Sequence, residues 1–98
     1  MEVVMSIETR NLQKAKDVLL KDDVVSRASI VFKEASTYGG KSGNYYCYMS
    51  GLGEQCKRAL ELAKDLAKQL EGKEKEDFVK KIKEEEQKAS EAFGGIFG

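Results

Sequence analysis

With 98 residues the chain can build one hydrophobic core but not two, because a polypeptide of this length buries only about two-thirds of the surface it exposes when unfolded. Its 41% hydrophobic and 35% charged residues argue against pervasive disorder, and 17 basic residues against 17 acidic ones, balanced in both halves, leave no surplus field to steer nucleic acid or an anionic membrane. Histidine is absent, which removes Ser-His and Cys-His triads; with Cys47 and Cys56 as the only thiols, it also removes a four-ligand zinc site.

The opening residues Met1 to Glu8 carry neither a basic leader nor the apolar stretch of a signal peptide, and no run approaches the roughly 18 apolar residues of a membrane span. A cytoplasmic protein with no membrane association is predicted, its two thiols serving as small core residues in a reducing compartment. Lys and Glu dominate the charged set while His, Trp and Pro are missing, a composition like that of hyperthermophile proteomes.

In chain order, residues 2–8 alternate, with Val3, Met5 and Ile7 opposite Val4, Ser6 and Glu8, the period of a strand. From Asn11 the apolar residues Leu12, Ala15, Val18 and Leu19 are spaced by three and four. That predicts a helix to about residue 21, capped by Thr9 or Asn11 and interrupted by Asp22 and Asp23. Residues 28–35, with Ile30, Val31 and Phe32, read as a second strand. Three glycines in 37–44 supply a hairpin loop into a third strand over 44–50. After Ser50-Gly-Leu-Gly53, the stripe Cys56, Ala59, Leu60, Ala63, Leu66, Ala67 and Leu70 predicts one continuous helix, closed by a left-handed Gly72.

A third helix is predicted from about residue 73. Its exposed side carries acids four residues before bases, such as Glu76 to Lys80 and Asp77 to Lys81. Its apolar stripe is thinner: Phe78, Val79, Ile82, Ala89, Ala92 and Phe93, broken by Glu85 and Glu86. Residues 1–93 form the single domain of this reading and 94–98, with Ile96 and Phe97 among glycines, a flexible tail.

The order β-α-β-β-α-α predicts an α+β domain with a three-stranded antiparallel or mixed sheet. It is the ferredoxin-like or split β-α-β kind without its last strand, with the helices on one face. Val3, Met5, Ile7, Ile30, Phe32, Tyr45, Cys47 and Met49 would face those helices. Val4, Val31, Tyr46 and Tyr48 would then line an opposite face too apolar to stand in water. The third helix, a second copy or a ligand would cover it, and a homodimer is the expectation, since symmetric pairs are the commonest oligomers. From the first strand through the second helix, the element order is similar to that of the small dimerising subunit of the KEOPS tRNA-modifying complex. The Gly-Leu-Gly turn and the third helix are additions to that pattern.

Chemistry has few candidates. Gly40-Lys41-Ser42 lacks the first glycine of a phosphate-binding P-loop, that position being Ala35, and it leads into a strand rather than a helix. Ser50, Gly51 and Gly53 make the better anion site, as glycines open the backbone at the head of a helix. Tyr45, Tyr46 and Tyr48 offer stacking surfaces for bases, but without a basic surround. Glu84-Glu85-Glu86 reads as a solvated helix face.

The sequence therefore predicts a small non-enzymatic interaction or assembly domain, needing no cofactor or metal and acting as a homodimer or a complex subunit with a protein partner. Its interface candidates are Val4, Val31, Tyr46, Tyr48, Phe78, Ile82, Phe93, Ile96 and Phe97. The alternatives are a regulatory module for an anionic metabolite at Ser50, Gly51 and Gly53 and, with less support, RNA binding on the tyrosine face.

Overall fold

The computed structural model describes the backbone of residues 1–97 and the side chains of residues 1–88. Strand β1 (Glu2–Glu8) runs directly into helix α1 (Thr9–Leu20), whose Ala15 and Leu19 turn inward. No side chain caps α1. Thr9 instead ties it to the sheet, its hydroxyl and its backbone N–H both donating to the Gly43 carbonyl, at 2.6 and 3.0 Å. The helix stops where the sequence predicts, since Asp22 accepts the N–H groups of Val24 and Val25 and draws the chain into a 3₁₀ turn, Val25–Arg27. Arg58 then clamps Asp22 through Nε and a terminal guanidinium nitrogen, at 2.9 and 2.7 Å.

Strand β2 (Ser29–Glu34), a 3₁₀ turn (Ala35–Tyr38) and strand β3 (Asn44–Ser50) make the expected hairpin, with Gly39 and Gly43 left-handed at φ 82° and 87°. Helix α2 (Gly53–Leu62) follows, then strand β4 (Ala67–Leu70) and helix α3 (Gly72–Phe97). The sheet has the order β2-β3-β1-β4 with every neighbouring pair antiparallel, so β1 and β2 run parallel with β3 between them.

Two expectations are corrected here. The helix expected to continue to Leu70 ends at Leu62, and the sheet has four strands, not three. Leu66 and Ala67 both donate to the Ala63 carbonyl, at 2.9 and 2.8 Å, which closes a turn. Residues 67–70 then pair with β1, Val4 opposite Leu70 and Ile7 opposite Ala67. A helix would have satisfied the backbone of these four residues locally; the strand also satisfies the free side of β1, which lies inside the sheet. Gly72 is left-handed as expected, at φ 66°, but it joins β4 to α3 rather than closing α2.

The helices also cover both faces, not one. On one face Val3, Met5, Ile7, Cys47 and Met49 pack with Ala15 and Leu19 of α1 and Cys56 and Ala59 of α2. On the other, Val4, Tyr46, Tyr48 and Leu70 pack with Phe78 and Ile82 of α3. Pleating sends successive β1 residues to opposite faces, so Val3, Val4 and Met5 are all buried, but in different cores. Phe78 anchors α3, its ring meeting Tyr38, Tyr46 and Tyr48 edge-on with centroids 5.0, 4.8 and 6.3 Å apart.

Candidate functional site

The head of α2 does not hold the sequence-predicted anion site in open form. Gly51 donates its N–H to the Met1 carbonyl at 3.0 Å, and its own carbonyl accepts from the Met1 ammonium at 2.8 Å. The Leu52 N–H donates to Gln55 Oε1 at 2.8 Å. Two backbone donors that an anion would use are therefore taken by the chain itself. Gly51 is required for packing: a Cβ there would collide with Gln55 Oε1 and the Ala28 methyl. Ser50 is the last residue of β3, opposite Glu2 and Ser29, and does not cap α2, whereas Gly53 borders open space.

The interface candidates Val4, Tyr46, Tyr48, Phe78 and Ile82 are brought together inside one chain, where α3 provides the cover the apolar face requires. Val31 is half-buried and shares a shallow concavity with Ile82, Lys33, Glu85 and Glu86. Phe93, Ile96 and Phe97, and the tail expected over 94–98, lie outside the residues whose side chains are described.

Beyond Phe78, polar contacts fasten α3. Tyr38 donates its hydroxyl to Glu85 at 2.7 Å, Lys81 donates to the Tyr38 carbonyl at 3.2 Å, and Lys83 pairs with Glu2 at 3.2 Å. Burial, assisted by Glu85, pushes the Tyr38 phenol up to about 12; burial and the neighbouring Glu2 do the same for Tyr48. Burial and Glu74 raise Tyr46 as well. These phenols stay protonated at neutral pH, which lets Tyr38 and Tyr48 donate to Glu85 and Glu2. Burial also lifts the Cys47 thiol to about 12, which withholds the thiolate needed for nucleophilic attack.

One concavity combines groups from several elements. It has a volume of about 450 Å³ and lies between the Gly39–Lys41 loop, the adjoining ends of β1 and β3, and the first turns of α3. Tyr46, Leu70 and Phe78 give it buried apolar residues, while Lys41, Lys81, Glu74 and Asp77 add exposed charges of both signs. Ser6 and Asn44 also line it, the amide donating to the serine hydroxyl at 3.3 Å. Gly40 lets the wall close up, because a Cβ at that position would overlap the Tyr46 hydroxyl.

Sequence reasoning touched this concavity at separate points, through the rejected P-loop comparison at Gly40 and Lys41, the interface candidates Tyr46 and Phe78, and the Asp77 to Lys81 spacing, without bringing them together. No local signal joins those residues to Glu74, Asp77 and Lys81, which arrive with α3. Among the described residues no cluster of His, Cys, Asp or Glu could hold a metal ion, and no helix is long and apolar enough to cross a membrane. Comparison with known proteins yields no match to a family model, a curated protein or a solved structure.

Proposed function

We propose that the chain is a non-enzymatic interaction or assembly domain, working in the cytoplasm as a homodimer or as a subunit of a larger complex. Its fold is of the ferredoxin-like, split β-α-β kind, a reading supported by the strand order β4-β1-β3-β2 with helices following β1 and β3. Two buried free thiols on separate elements suit a reducing compartment.

The observation that carries the assembly reading is the length of α3. It leaves the sheet edge at β4, passes over β3 at Phe78, and reaches β2 at the opposite edge, where Ile82, Glu85 and Glu86 meet Val31 and Lys33. The helix continues to Phe97, eleven residues or about 16 Å past Glu86 at the usual rise. In the sequence that added length carries Ala89, Ala92, Phe93 and Ile96 at helical spacing. Among the described residues the outer side of β2 has no strand partner, and it could pair with the same edge of a second copy. The apolar sheet face no longer argues for a dimer, since α3 covers it; the support rests on the remainder of α3 and the β2 edge.

Multi-angle light scattering at tens of micromolar tests this reading. A dimer is expected for the wild-type chain and a monomer of unchanged circular dichroism for the Phe93→Asp, Ile96→Asp double variant. A monomeric wild type refutes the homodimer.

A second reading, a regulatory module for a small ligand, is favoured by the concavity beside Gly40. The site moves there from Ser50, Gly51 and Gly53, where the chain occupies its own donors. RNA stacking finds less support, because the faces of Tyr46 and Tyr48 are packed beneath α3.

A further inference from the structure

We infer that the concavity between the Gly39–Lys41 loop and α3 binds a small zwitterion of the free α-amino acid class, its carboxylate toward Lys41 and Lys81 and its ammonium toward Asp77 and Glu74. The inference rests on the second reading above, that the chain is a small-ligand module, and names the ligand chemistry.

Its basis is a set of charges that face one cavity without neutralising one another. Asp77 and Lys81 stand four residues apart, acid first, the spacing and order best suited to an ion pair along a helix. They do not form one: the Lys81 ammonium is drawn away to the Tyr38 carbonyl, 3.2 Å from it, and beside Gly39. Among the described residues, Asp77, Glu74 and Lys41 have neither an ion-pair partner nor a side-chain hydrogen bond. The cavity thus has a positive end, where Lys81 reaches the glycine loop that continues into Lys41. Its negative end lies one and two turns back along α3, at Asp77 and Glu74.

This polarity selects for charge type. A simple anion drawn by the two lysines also meets two carboxylates, and a simple cation meets two ammonium groups, so each loses on one side what it gains on the other. A molecule bearing both charges a few bonds apart satisfies both ends. Four residues of helix advance about 6 Å, a distance that such a molecule and its hydrogen bonds can bridge. Tyr46, Leu70 and Phe78 supply apolar surface for a side chain, and about 450 Å³ falls within the range of small-molecule sites.

The test is a titration of the full chain, followed by amide chemical shifts, with three probes of like shape: leucine, isocaproate, which lacks the ammonium, and isoamylamine, which lacks the carboxylate. Leucine is expected to shift Gly39, Gly40 and the first turns of α3, and to bind at least tenfold more tightly than either analogue. Asp77→Asn should weaken leucine about tenfold and bring isocaproate level with it; Lys81→Gln should do the same for leucine and isoamylamine. Both side chains are exposed, so unchanged spectra elsewhere will confirm that the variants fold. Equal binding of leucine and isocaproate by the wild type overturns the zwitterion while the ligand module stands. No binding of any probe at millimolar concentration overturns both.

Discussion

Replacing Phe78 with alanine should release α3 from the sheet, and its effect can be worked from the contacts. Phe78 is 1% exposed and is the residue on which Tyr38, Tyr46 and Tyr48 converge. The only other fully buried apolar side chain that α3 contributes among the described residues is Ile82, at 3% exposure, with Val79 half-buried beside it. Burial of a large apolar side chain stabilises by about 1.5–3 kcal/mol, so Phe78 and Ile82 together provide about 3–6 kcal/mol of docking, roughly half of it from the phenylalanine. Truncation of a buried Phe typically costs about 3–5 kcal/mol once the cavity it leaves is included. That is comparable to the apolar docking of Phe78 and Ile82 together and leaves mainly the polar contacts of Tyr38, Lys81 and Lys83 to hold α3, so α3 should separate while Val3, Met5, Ile7 and Met49 remain packed on α1 and α2.

Urea unfolding followed by circular dichroism should show the loss of stability. Hydrogen exchange should localise the loss to α3 and to the β4 pairing with β1, and a hydrophobic dye should bind the exposed Tyr46 and Tyr48 face. A loss below about 1 kcal/mol, an ordinary surface-substitution effect, with no dye binding would refute the assignment of α3 as the cover of this sheet face.

Three further outcomes follow from the same contacts. Tyr38 and Tyr48 titrate near 12 in the folded chain against an ordinary 10.0; the stability they contribute should be complete below pH 10 and disappear between pH 10 and 12. An ultraviolet titration of the phenols set beside unfolding at each pH will show whether it does. Asp22 shows the opposite sign: Arg58, then the backbone N–H of Val25, hold its carboxyl at about 2 against an ordinary 3.8. The stability gap between wild type and Asp22→Asn should therefore be open at neutral pH and close as pH falls from about 4 to about 2; a gap constant through that window rejects the charged clamp. Gly51→Ala should lower stability by about 1–3 kcal/mol through overpacking, while Gly53→Ala, with open space around it, should be neutral or slightly stabilising in thermal unfolding; a tolerated Gly51→Ala would contradict the packing given for it.

The loss of the predicted long second helix shows how local pattern can mislead. Ala63, Leu66, Ala67 and Leu70 suit a helical stripe, and no glycine or proline interrupts residues 54–71. In the fold Ala67 joins the α1–α2 core while Leu70 crosses to the α3 core, a split that period-two geometry permits and a helix does not. The missing information was the open hydrogen-bonding side of β1, whose paired residues lie 60 to 66 positions earlier in the chain. The anion-site expectation had a related weakness. Glycines at 51 and 53 look alike in sequence, yet one is pressed against Ala28 and Gln55 and the other is open, because only the first sits where β2, β3 and the chain's first residue converge.

Short-range patterns were enough to identify β1, α1, the β2–β3 hairpin and the start of α3, since alternation, three-four spacing and turn glycines express preferences the backbone obeys locally. The same alternation divided Val3, Met5 and Ile7 from Val4, Tyr46 and Tyr48 and showed that the second group needed a cover. Which body supplies that cover, and which distant segment completes the sheet, depended on competition among partners far apart in the chain. Such choices are settled by buried area and backbone hydrogen bonds summed over the assembled domain, and no window of neighbouring residues contains that sum.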